Sequence, residues 1–210
     1  MSKVIDYSKI IKFFAWGLAV LVAGLGIFAW GQSYNWKLSN LGILQIFPLL
    51  GLLAFSLMWA HYMTSFVRIQ LGQERKVLNS YLEITSFVVL LCLVLHPGLL
   101  IYKLWQSGLG LPPSSYFNYV GKGQATAVAL GSISLMIFLA YELRRKFAKS
   151  SWWKYVVVAN ACAMVAIFIH GFKLGGQLMS GWYRGVWLVY GVLLIALFVY
   201  QILSRVVAKR

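Results

Sequence analysis

The chain carries three histidines, His61, His96 and His170, and each lies inside an apolar stretch. His96 stands in FVVLLCLVLHPGLLIY, residues 87–102. An ionisable side chain in such a run is costly and is a functional candidate by default. A neutral imidazole buries no charge and offers one nitrogen lone pair, which suits iron. The plainer alternative is a histidine that only hydrogen-bonds a neighbouring helix. The elements that carry the three residues decide between these readings. Little else in the chain offers chemistry. Cys92 and Cys162 are isolated, without CxxC spacing, and read as small core residues.

Composition defines those elements. Of the 210 residues 61% are hydrophobic and only 11% charged, and the mean hydropathy is +0.78. Soluble domains carry roughly 25% charged residues. The few charges leave long uncharged windows at 13–30, 44–66, 84–102, 123–141, 155–172 and 185–204. Each is long enough to cross a bilayer core at about 1.5 Å per residue, and backbone in lipid must satisfy its own polar groups, so helices are expected. The first window exceeds a typical signal-peptide core, and FAWGQSYNW has no small-x-small cleavage site, so it reads as a span. The expected fold is all-α: six transmembrane helices in a single domain over residues 1–210, a multi-pass protein of the cell (inner) membrane.

The 19 basic residues orient the spans. Lys3, Lys9 and Lys12 precede the first, and Arg68, Arg75 and Lys76 follow the second. Arg144, Arg145, Lys146, Lys149 and Lys154 lie between the fourth and fifth, and Arg205, Lys209 and Arg210 close the chain. Only Lys37, Lys103, Lys122, Lys173 and Arg184 fall on the other side. The positive-inside rule then puts both termini in the cytoplasm. The net charge of +15 is thus explained by short inner loops facing anionic lipid, not by nucleic acid. Trp30, Trp36, Trp105, Trp152, Trp153 and Trp182 cluster near span ends, as an interfacial belt does.

With this topology the third and fifth spans both run outward. His96 lies 12 residues past Ile84 and His170 lies 15 past Tyr155, which gives similar depths in the outer half. Two neutral imidazoles at one level is the arrangement that axially ligates a haem within a helix bundle. Lys103, Lys173 and Arg184 sit just beyond that depth and are candidate propionate contacts, or simply interface anchors. His61, on an inward-running span, lies near the cytoplasmic end without a histidine partner at its level. It reads as a structural histidine, with a quinone contact as the alternative.

LVLHPGLL, the stretch from YVGKGQATAVAL to YELRRKF, and WKYVVVANACAMVAIFIHGF together give the chain a further property. Over roughly residues 44–173 it resembles the ferric-reductase-like transmembrane domain family, which includes NADPH-oxidase membrane domains. Within that family it is nearest to the haem subunit of the bacterial methionine sulfoxide reductase system. The resemblance implies six helices with haem-ligating histidines on the third and fifth, here His96 and His170. Two-haem members carry a second histidine 14 residues earlier on one helix and 13 earlier on the other, where this chain has Leu82 and Val157. The inner haem site therefore reads as vacant. Glu83 follows the first of these positions, but one carboxylate does not rebuild a bis-histidine site.

No flavin or pyridine-nucleotide segment follows the sixth span. The expectation is an electron-relay subunit with one b-type haem, an oxidoreductase component and not a self-contained enzyme. Quinone and FMN are the further candidate cofactors. The donor would be a quinol or a cytoplasmic flavoprotein, and the acceptor a periplasmic or extracellular redox partner. Leu82 lies about 20 Å along the helix from His96, at about 1.5 Å per residue, which favours a quinol within the bilayer over a soluble flavoprotein alone. The outer loop LWQSGLGLPPSSYFNYVGKG, rich in Gly and Pro, is a candidate docking or lid segment. Against all this stand a haem-free scaffold and a transporter, although the spans show no acidic pair, no basic sensor helix and no obvious inverted repeat.

Overall fold

The computed structural model describes residues 7–37, 39, 41–143 and 147–207. Lys3, Arg144, Arg145, Lys146, Lys209 and Arg210, used above to orient the spans, lie outside them. The described residues are all-helical, and six helices are long and apolar enough to cross a membrane. In chain order the helices are α1 (Ser8–Ser33), α2 (Ile43–Gln70), α3 (Asn79–Gln106), the short α4 (Ser114–Val120), α5 (Ala125–Glu142), α6 (Trp153–Leu174) and α7 (Trp182–Val207). The six uncharged windows match α1, α2, α3, α5, α6 and α7. Most of these helices continue past the windows, because backbone hydrogen bonding does not stop where charged interfacial residues begin. Arg68 and Lys103, for example, lie in the last turns of α2 and α3, where cations favour the helix dipole. Gly72, at φ +62°, follows the end of α2 and supplies the left-handed conformation that ends helices.

The chain divides into two compact units, residues 1–96 and 97–210, with the division inside α3 between His96 and Pro97. In the first unit α1 packs along α2. Ile11, Ala15, Ala19, Val22, Gly26 and Ala29 form its buried stripe, at helical spacing and mostly small, so the helix axes can approach closely. The opposite face, with Phe13, Val20, Leu21 and Phe28, is apolar and exposed. A helix apolar all round is suited to lipid. At one end of this pair the Trp30 indole donates to the Gln45 carbonyl at 2.7 Å. Trp30 is therefore a buried tertiary contact rather than a free interfacial residue, whereas Trp36, Trp105, Trp152 and Trp182 are exposed. The first turn of α2 is closed by Gln45, whose side-chain oxygen accepts from the Gly42 N–H at 3.0 Å.

In the second unit α5 packs along α6 through Ala127, Ser134 and Phe138 against Ala163 and Met164, all buried. The Ser134 hydroxyl donates to the Ala163 carbonyl at 3.2 Å. In lipid a hydroxyl is best satisfied by a neighbouring helix in this way. Trp187 of α7 stacks on Phe168 of α6, with ring centroids 6.0 Å apart and planes 13° from parallel. It also donates to the Phe168 carbonyl at 3.3 Å. A Cβ on Gly171 would lie 2.8 Å from the indole, so only glycine admits this contact. The loop LWQSGLGLPPSSYFNYVGKG contains a helix, α4, that its Gly/Pro content did not predict; it follows directly on Pro112 and Pro113.

Candidate functional site

His96 projects from α3 onto α2. Its Nδ1 lies 2.7 Å from the Phe47 carbonyl oxygen, and the imidazole sits 5.4 Å from the Phe47 ring. Gly51, one turn further along α2, makes this approach possible. A Cβ there would stand 2.8 Å from His96 Cε1 and 3.0 Å from Nδ1. A helical side chain leans toward the N-terminus and covers the turn before its own Cα. Glycine at this position therefore bares the carbonyl four residues earlier. That oxygen has two lone pairs: the helix N–H four residues on takes one, and the imidazole takes the other.

The second unit builds the same seat. His170 projects from α6 onto α5, with Nδ1 2.8 Å from the Ala127 carbonyl oxygen. Gly131, again four residues after the carbonyl, lies under the ring, and a Cβ there would stand 2.5 Å from both Cε1 and Nδ1. Each unit thus presents one histidine from an odd-numbered span to a glycine-bared carbonyl on the span before it. A carbonyl oxygen can only accept, so Nδ1 carries the proton in both residues. In the neutral imidazole the lone pair is then on Nε2. An Nδ1–H donated to a backbone carbonyl is the outer contact that fixes the tautomer and ring orientation of a metal-ligating histidine.

His61 is held the opposite way. Its Nε2 lies 2.6 Å from Thr85 Oγ1, and the Thr85 hydroxyl donates to the Tyr81 carbonyl at 2.6 Å. A hydroxyl has one hydrogen, and here it goes to Tyr81, so Thr85 must accept from His61. Nε2 carries the proton and the neutral ring's lone pair falls on Nδ1. The ring also meets Tyr81 edge-on at 5.6 Å, and Tyr81 in turn meets Trp16 at 5.4 Å, which ties α1, α2 and α3 together.

Compared with models of known protein families, with curated proteins and with solved structures, the chain matches none. The side chains themselves must carry the functional reading. Among the described residues no three His, Cys, Asp or Glu side chains gather as a metal cluster. A porphyrin supplies four of its iron's ligands and asks for only two from protein.

The candidate propionate contacts behave differently from one another. Arg184 Nη1 donates to the Met179 carbonyl at 2.9 Å, and its guanidinium lies 4.5 Å from the Phe172 ring centre. Arg184 therefore fastens the turn between α6 and α7. Lys103 Nζ donates to Gln106 Oε1 at 3.2 Å. Lys173 lies in the last turn of α6, where its charge complements the helix dipole. Leu82 is half-buried and Val157 exposed, and an aliphatic side chain has no lone pair for iron. Sequence reading missed Gly51, Gly131 and Thr85. Glycine inside an apolar span, a sign of close approach, was the available signal for the first two.

Proposed function

We propose that the chain binds one b-type haem, with His96 and His170 as its ligands, and serves as a transmembrane electron-transfer subunit. The observation that carries this reading is the shared seat: two histidines in separate units, each fixed by a carbonyl bond at Nδ1 in the tautomer that ligates through Nε2. The residues fit the group. Two neutral nitrogen donors suit iron and add no charge of their own to the apolar interior. A haem so bound supplies reversible one-electron transfer. The chain's own contribution is to orient the two rings and keep their Nδ1 protons in place. Lys103 and Lys173 are the basic residues best suited to anchoring propionates. Arg184 would do so only by giving up its loop carbonyls.

In this reading both termini are cytoplasmic, the haem lies in the outer half of the membrane, and the inner level marked by Leu82 and Val157 holds no second haem. The donor is a quinol in the bilayer or a flavin-bearing partner, and the acceptor faces outward. The test is the absorption spectrum of the purified protein together with its haem content. A Soret band, a reduced α band and about one haem per chain are expected. A colourless protein that takes up no haem would leave a haem-free scaffold as the account.

A further inference from the structure

We propose that Gly51 and Gly131 are positioning residues that set the donor strength of the two imidazoles, by baring the Phe47 and Ala127 carbonyls to Nδ1–H. This rests on the haem reading above. The geometry that carries it is the repeated relation of carbonyl, glycine four residues on, and imidazole above both. An imidazole that donates Nδ1–H to a carbonyl is a stronger base at Nε2. A more basic axial ligand favours the ferric over the ferrous state, and outer hydrogen bonding is one of the protein's means of adjusting a haem potential. A methyl group on either glycine lifts the ring off its carbonyl and weakens that bond. The clearance is smaller at Gly131, 2.5 Å from two ring atoms, than at Gly51, 2.8 and 3.0 Å. The effect is therefore ordered: G131A exceeds G51A. If the glycines served helix packing alone, alanine would lower stability and leave the potential where it was.

The experiment is a redox titration of wild type, G51A and G131A in detergent or nanodiscs, with haem content measured on each sample. G131A is expected to shift the ferric–ferrous equilibrium about tenfold toward the reduced form, which is about 59 mV for a one-electron couple. G51A should shift it the same way and by less. Unchanged potentials in haem-loaded variants overturn the proposal while leaving the haem reading intact; a wild type without haem overturns both. Should G131A fail to fold, H170G supplied with a free ligand decides. Imidazole can donate N–H to the Ala127 carbonyl and 1-methylimidazole cannot. Imidazole is expected to restore a six-coordinate haem near the wild-type potential, and 1-methylimidazole one shifted about tenfold toward the reduced form. No rescue by imidazole, or equal potentials with the two ligands, overturns the proposal.

Discussion

His61 and His96 belong to the same unit, on adjacent helices, yet their protons sit on opposite nitrogens. His96 gives its Nδ1 proton to the Phe47 carbonyl, and His61 gives its Nε2 proton to the Thr85 hydroxyl. Nε2 is the outer nitrogen of the ring, so a lone pair there is presented away from the histidine's own backbone. Nδ1 lies close to the backbone, where an iron with its macrocycle is harder to accommodate. His170, in the other unit, follows His96 and not His61. Residue type is thus the same three times, and the acceptor chosen by the neighbouring helix separates two candidate ligands from one helix fastener.

The largest effects should come from removing the rings themselves. H96A and H170A are each expected to lower haem content by more than tenfold, beyond the roughly 10–100-fold cost of losing an outer partner alone. H61A should keep the spectrum and the haem content. Pyridine haemochrome assay on the three purified variants checks this, and a full haem complement in either of the first two would erase the distinction drawn above. Next is the support of the His170 segment. W187A removes an indole stacked on Phe168 and seated on Gly171, at an expected cost of about 3–5 kcal/mol. A denaturation series in mixed micelles would read it, and a change below about 1 kcal/mol would show that this contact does not hold the helix. T85V is smaller. It leaves the His61 Nε2–H without its acceptor at a cost of about 1–3 kcal/mol, and the haem spectrum should not move. A spectral shift in T85V would bring His61 into the haem environment.

The six membrane helices were legible because lipid imposes a simple composition: charge is excluded over any window that must cross. Helix ends were less so, since charged residues such as Arg68 and Lys103 lie outside the uncharged windows and are still helical. The loop helix α4 was hidden by PP and by neighbouring glycines, which read as turn residues. His96 and His170 stood out by residue type, as ionisable groups inside apolar spans. Their acceptors could not, because every residue carries a carbonyl and nothing in a sequence says which one is bared. Gly51 and Gly131 are the trace that this choice leaves. Thr85 left none: a threonine 24 residues from His61 looks like any other small polar residue in a span. Arg184 shows the converse, a charge that the sequence offers as a propionate contact and that the local chain uses for its own carbonyls.

Ligation of one iron by His96 and His170 together has a spectroscopic signature of its own. Low-temperature EPR and near-infrared magnetic circular dichroism of the oxidised wild-type protein, on samples of known haem content, test it most directly. The account predicts a single low-spin ferric species with two neutral imidazole ligands at about one haem per chain. A high-spin or histidine–methionine signature, or two distinct bis-imidazole species, would contradict it.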